Sequence, residues 1–277
     1  MKNVLNIGTI SFTLILITLA FVTIRAKMDS TPITSLKDAK LHRLQDLNPN
    51  KKQGAPKKDI NDETATILEQ KIMAHYTTPQ GVDIDSALSA LGAAAGFGCQ
   101  MAVREAFIKT GKVSEKDAFV VVEAIDGNTY YFGDFLNQPL LNTNQVSVWT
   151  LVAGGAMQAG AKTSDLPNVD EIAGRNARTL GTAAFGIPEV EAKHRPKELP
   201  IKLLQSHWAE IESTLRNRNV DPTFWGWVPA MAAQKLIIHS TEKIDPKTAV
   251  TLVMESAMPM SKIDPARVIS ATGSPGS

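Results

Sequence analysis

With Cys99 as its only cysteine in 277 residues, the chain can build neither an internal disulfide framework nor a metal site of two or more thiolates. It also lacks a surplus of charge. The 29 Lys and Arg against 28 Asp and Glu leave a net of +1, so no overall field draws the chain to nucleic acid, and any basic surface has to be local. Missing too are the nucleophile elbow, the P-loop, His-Glu-x-x-His and paired cysteines. From these absences we expect no cofactor, no metal and no nucleic-acid partner, and no particular reaction is indicated.

What is present begins with Val4 to Ile24, 21 residues without a charge, thirteen of them Leu, Ile, Val or Phe, between Lys2 and the pair Arg25 and Lys27. As a helix this run is roughly 31 Å long, a match to the ~30 Å hydrocarbon core of a bilayer. The threonines and serine within it can bond back to helix carbonyls, so they cost little in lipid. A cleaved signal peptide is the competing reading, but the run is long for one, and a cut after Ala20 would leave the apolar Phe21-Val22-Thr23-Ile24 as the new terminus. A mis-assigned start upstream of Met28 is the third reading. Lys37, Lys40 and Arg43 follow soon after, and this basic side predicts a single-pass inner-membrane protein of a bacterium with its globular domain in the cytoplasm. A cleaved signal would make the domain periplasmic or secreted instead.

The expected organisation is an anchor over 1–27 and a polar, basic linker over 28–62. A helix-rich globular domain over 63–270 and a disordered tail over 271–277 follow. In the linker, Ser35 to Leu47 reads as a short amphipathic helix, and the Lys, Asn, Gly and Pro of 50–62 as a spacer. Charged residues at 21 % and hydrophobic residues at 43 % are ordinary values for a globular chain. The fold class is mainly α, of α+β type. Its one β-hairpin lies over Phe119 to Phe132, where β-branched and aromatic residues flank Asp126-Gly127-Asn128. Helix starts are signalled at Pro167, Asp221-Pro222, Asp245-Pro246 and Asp264-Pro265, and Pro229 predicts a kink or an early break.

Ser86 to Val103 is uncharged and rich in Ala and Gly, with Gly92-x-x-x-Gly96 in the spacing of closely packed membrane helices. Alanine and glycine contribute too little transfer free energy for a second span, so this reads as a buried helix. Its small residues would meet another backbone, expected to be that of Ala153 to Ala156.

Four constellations could carry chemistry. His207 and Glu210, one turn apart, supply two ligands where a metal needs more. Ser240-x-x-Lys243 has the spacing of serine-lysine hydrolases without their companion motifs. Cys99, inside an apolar run, reads as an inert thiol. The fourth is basic: Arg175 and Arg178 share a helix face, while His194 and Arg195 sit with Lys193 in the long connection over 182–197. If they converge, they make a site for a phosphate or carboxylate. Two functions follow, a tethered interaction or scaffold protein with a protein partner, or an enzyme or sensor for a small anion.

Phe119 to Asp134, Ser147 to Trp149, Ala184 to Pro188, His194 to Pro196 and Glu255 to Pro265 together resemble an uncharacterised bacterial protein family, over roughly 88–265. The resemblance implies no activity and no residue roles.

Overall fold

Capping chemistry sets most helix starts in the computed structural model, which describes residues 59–269. The apolar run Val4 to Ile24, the amphipathic segment at 35–47 and the tail at 271–277 lie outside the described residues. Asp59 accepts from the Asn61 amide ahead of α1 (Ile60–His75), and Asp83 from the Ser86 amide ahead of α2 (Ile84–Val103). Helix α2 runs on into a π-helical turn at Arg104–Ile108. A short pair, β1 (Thr77–Thr78) with β2 (Gly81–Val82), lies between α1 and α2; after α3 (Glu115–Ala118), a hairpin pairs β3 (Val120–Glu123) with β4 (Thr129–Phe132) in the register Val122↔Tyr130. Then come α4 (Asp134–Leu141), α5 (Val148–Gln158), α6 (Val169–Thr179) and α7 (Pro200–Asn217). The chain closes with α8 (Trp227–His239), α9 (Pro246–Met260) and α10 (Ala266–Ile269).

The expected single hairpin is accompanied by a second, β1 (Thr77–Thr78) with β2 (Gly81–Val82). Thr77-Thr78-Pro79 does stop α1, but Gly81 at φ +113° turns the chain straight back, a backbone state open to glycine. Helix α4 was not foreseen, because Pro139 inside a short segment hid it. Pro229 does not end the helix that carries it. The break falls earlier, after the 3-10 turn Pro222–Phe224, and Pro229 sits in the first turn of α8, where its missing N–H is no loss.

Every residue of α2 from Ser86 to Val103 is buried. With the π-helical turn it is long and apolar enough to cross a membrane, at a mean hydropathy of 1.3, and the whole of that apolar window is covered by the protein itself. Helices α7, α8 and α9 wrap it, α9 most extensively. Here the expected partner of the glycines is corrected. A Cβ on Gly92 would stand 2.5 Å from the Val253 carbonyl oxygen, and one on Gly96 1.9 Å from that of Ala257, both in α9. Ala249, Val253 and Ala257 recur every four residues and are fully buried, so they form the smooth groove that α2 needs. Ser89 and Ser256 hydroxyls meet across it at 2.8 Å. The Ala153 to Ala156 stretch of α5 lies instead on α8, with Gly155 against Gln234.

The larger hairpin is not left alone either. Tyr131 N–H donates to the Lys262 carbonyl at 2.8 Å and Tyr130 bridges to Ile263, so the segment after α9 lines the β4 side. Residues 58–277 form one compact unit, and among the described residues its main core cluster runs from Ala65 to Val268.

Candidate functional site

Helix α6 presents Arg175. Asn168 caps it by accepting from the Asp170 amide, Asp170 and Glu171 occupy the first turn, and Ile172 and Asn176 are its buried face. Arg175, on the flank of that face, forms ion pairs with Glu189 from the long connection and with Glu255 from α9. Glu255 is only 3 % exposed, whereas Glu189 is an open surface group. This distinction decides their weights: an exposed pair is worth about 0–1 kcal/mol, while removing one partner of a buried pair strands the other.

The connection over 180–199 folds as a strap pinned at several points. Gly181, at φ +71°, turns against Ala124 and Ile125, and Phe185 stacks edge-on against Tyr130 at 5.0 Å. At its far end His194 Nδ1 lies 3.0 Å from Asp85, the Lys197 amide donates to Ser86 Oγ, and Lys197 Nζ pairs with Asp83. These anchors sit on the first turn of α2. Burial would raise both aspartates. For Asp85 it prevails over His194 and leaves the carboxyl above its usual value; for Asp83 the bonds from Ser86 and Lys197 prevail and lower it.

The four basic residues singled out in the sequence therefore separate. Arg175 and Arg195 line one cleft of about 210 Å³ together with Asn176, Thr179, Gly186 and Glu255. His194 is turned away to Asp85. Arg178 is exposed, folded back over Gly174. Sequence reasoning missed Glu255, although a signal existed: it is the only charged residue between Lys247 and Lys262. A lone carboxylate in an apolar helix asks for a counterion.

The other candidates resolve into structure. His207 is buried, its Nε2 2.8 Å from the Tyr76 hydroxyl, while Glu210 pairs with Lys71, so the two point to different partners. Burial first, and His75 beside it, hold the His207 imidazole down at about 4; burial pushes Tyr76 up, so both groups meet in their neutral forms. Ser240 Oγ donates to the Leu236 carbonyl at 2.6 Å, and Lys243 is exposed. Cys99 is fully buried and its thiol is pushed up to about 12. Among the described residues no group of three or more His, Cys, Asp or Glu is placed to hold a metal. No protein-family model, curated protein or solved structure matches this chain.

Proposed function

We propose that this is a membrane-tethered binding protein without chemistry of its own, whose globular domain takes a small anion, a phosphate or short carboxylate, in the Arg175 and Arg195 cleft. One observation carries the reading: two arginines 20 residues apart in sequence line the same small cavity. Arg195 makes no ion pair among the described residues and supplies the open cation. Arg175 contributes its guanidinium once the exposed Glu189 swings aside, at a cost of about 0–1 kcal/mol. The cavity is below the ~300–1,000 Å³ of pockets for drug-sized ligands, which limits the ligand to a few heavy atoms beyond its charged group. The tether is the Val4 to Ile24 run, with the domain on the cytoplasmic side.

The test is a thermal-shift screen of the fragment 58–277 against inorganic phosphate and phosphorylated and carboxylate metabolites. A ligand that raises the melting temperature, with the rise lost in Arg195→Ala, supports the reading; no shift with any of them refutes it. A second reading, a scaffold that binds a protein partner, is favoured by the apolar edge of the larger hairpin, where Val120, Val121 and Ile125 are 59 %, 51 % and 92 % exposed. Charged replacements at Val121 and Ile125 that release a co-purifying protein would favour it.

A further inference from the structure

The far end of α2 is used by neither reading. There the helix widens into the π-helical turn Arg104–Ile108, a distortion that re-aims side chains and is frequent beside functional sites. Against this turn lies a second cavity of about 330 Å³, with Met101, Ile108 and Pro265 as apolar wall and Arg104 and Tyr131 as polar groups. Arg104 is held on one side only. Its Nη1 donates to Glu115 at 2.7 Å, and its guanidinium lies 4.5 Å and 5.0 Å from the ring centres of Tyr131 and Phe119.

Its Nε and Nη2 are shielded from solvent and have no acceptor among the described residues. These two nitrogens form one edge of the guanidinium plane, the edge whose parallel N–H bonds match the two oxygens of a carboxylate. Charged donors left unpaired away from water are costly, and an arriving anion removes that cost. Glu105 and Asp264 also line the cavity and Lys109 offsets the first of them, so Asp264 is the carboxylate that repels a singly charged head less than a phosphate dianion. Tyr131 belongs both to the cavity wall and to the cover over the guanidinium face of Arg104.

We propose that this cavity binds an amphiphilic carboxylate, its head on Nε and Nη2 of Arg104 and its apolar body along Met101, Ile108 and Pro265. The site is separate from the Arg175 and Arg195 cleft and stands or falls without it.

Calorimetric titration of the fragment 58–277 with octanoate tests it, with octanol as the headless probe and circular dichroism as the check on folding. Octanoate binds the unchanged fragment, and octanol binds at least about tenfold more weakly. Arg104→Lys keeps the charge but loses the fork, and Ile108→Phe fills the cavity from the apolar side; each weakens octanoate by about tenfold or more while the spectrum is retained. The proposal is overturned if octanoate does not bind, if octanol binds as well, or if both folded variants keep the original affinity.

Discussion

Adding one methyl group at Gly96 tests the central packing directly. The Cβ of Gly96→Ala would stand 1.9 Å from the Ala257 oxygen, 2.6 Å from its carbonyl carbon and 2.8 Å from its Cα. All three are backbone atoms, so no side chain can rotate away. Reaching ordinary contact near 3.4 Å from that 1.9 Å requires α9 to withdraw by about 1.5 Å. Because α9 is buried from Leu252 through Met260, the withdrawal disturbs packing on both of its sides. Overpacking costs roughly 1–3 kcal/mol, and the clash here belongs at the upper end. The helix propensity gained by replacing glycine is about 1 kcal/mol, so the net loss is about 2 kcal/mol. For a domain of this size that lowers the melting temperature by about 4–8 °C. Gly154→Ala is the matched control: its Cβ would meet only Gln234 Nε2, at 3.7 Å, so the propensity gain stands and the melting temperature rises by about 2–4 °C. Thermal unfolding of 58–277 followed by circular dichroism reads both. A Gly96→Ala fragment as stable as the parent, or a Gly154→Ala fragment that falls equally, would refute the reasoning.

His207 makes stability depend on acidity. Its imidazole is held at about 4 in the fold against an ordinary 6.5, so the unfolded chain takes up a proton that the folded one refuses, and stability falls as pH drops through that window. The full shift amounts to about 3 kcal/mol, and urea midpoints at pH 7 and pH 4.5 should converge in His207→Phe relative to the parent. Lys262, buried and pushed down to about 8, beside Asn137 and the Phe132 ring, acts at the other end of the scale. In a Cys99→Ala background, which removes the opposing thiol, stability should climb between pH 8 and pH 10, and Lys262→Met should flatten the climb; a flat profile of Cys99→Ala itself would disprove it. For the tether, alkaline carbonate should leave the full chain with the membrane and a C-terminal GFP should fluoresce. Release by carbonate would remove the anchor, and periplasmic phosphatase activity of a C-terminal fusion would reverse the orientation.

Helix starts and the larger turn were legible because their chemistry is local. Asp245 followed by Pro246 caps α9 by accepting from the Thr248 amide, and Gly127 takes φ +76° in the turn the sequence marked. The burial of α2 was legible from its composition. Its partner was not, because the seam of Ala249, Val253 and Ala257 is interrupted in sequence by larger apolar residues and becomes a groove only on a helix. The two-residue strands at Thr77 and Gly81 fall below any periodicity, and the π-helical turn leaves no pattern in Arg104 to Ile108 at all. For the candidate site, residue type was legible and direction was not. His194 and Arg195 are neighbours in sequence, yet one faces Asp85 and the other the cleft.

The double pairing of Arg175 raises the question of whether it is a ligand group or only the counterion of Glu255, and substitutions on the two sides separate these roles. Arg175→Ala leaves the Glu255 carboxylate, 3 % exposed, without its cation, which should cost about 3–5 kcal/mol. Arg175→Met with Glu255→Met removes both charges and should recover most of that loss, since an apolar pair of similar volume avoids the desolvation of two ions. Loss of anion binding in Arg175→Ala would therefore be uninformative, because the fold itself is damaged. Glu189 is the clean handle. Its carboxylate is 68 % exposed, so Glu189→Gln should change stability by less than about 1 kcal/mol. It also releases one edge of Arg175 while Glu255 keeps the side chain in place. If the cleft takes an anion, this variant should bind it several-fold more tightly than the parent in the same thermal-shift titration, because no internal carboxylate has to be displaced. Weaker binding in Glu189→Gln would mean that Glu189 positions Arg175 for the anion rather than competing with it, and the idea that the carboxylate has to be displaced would fall.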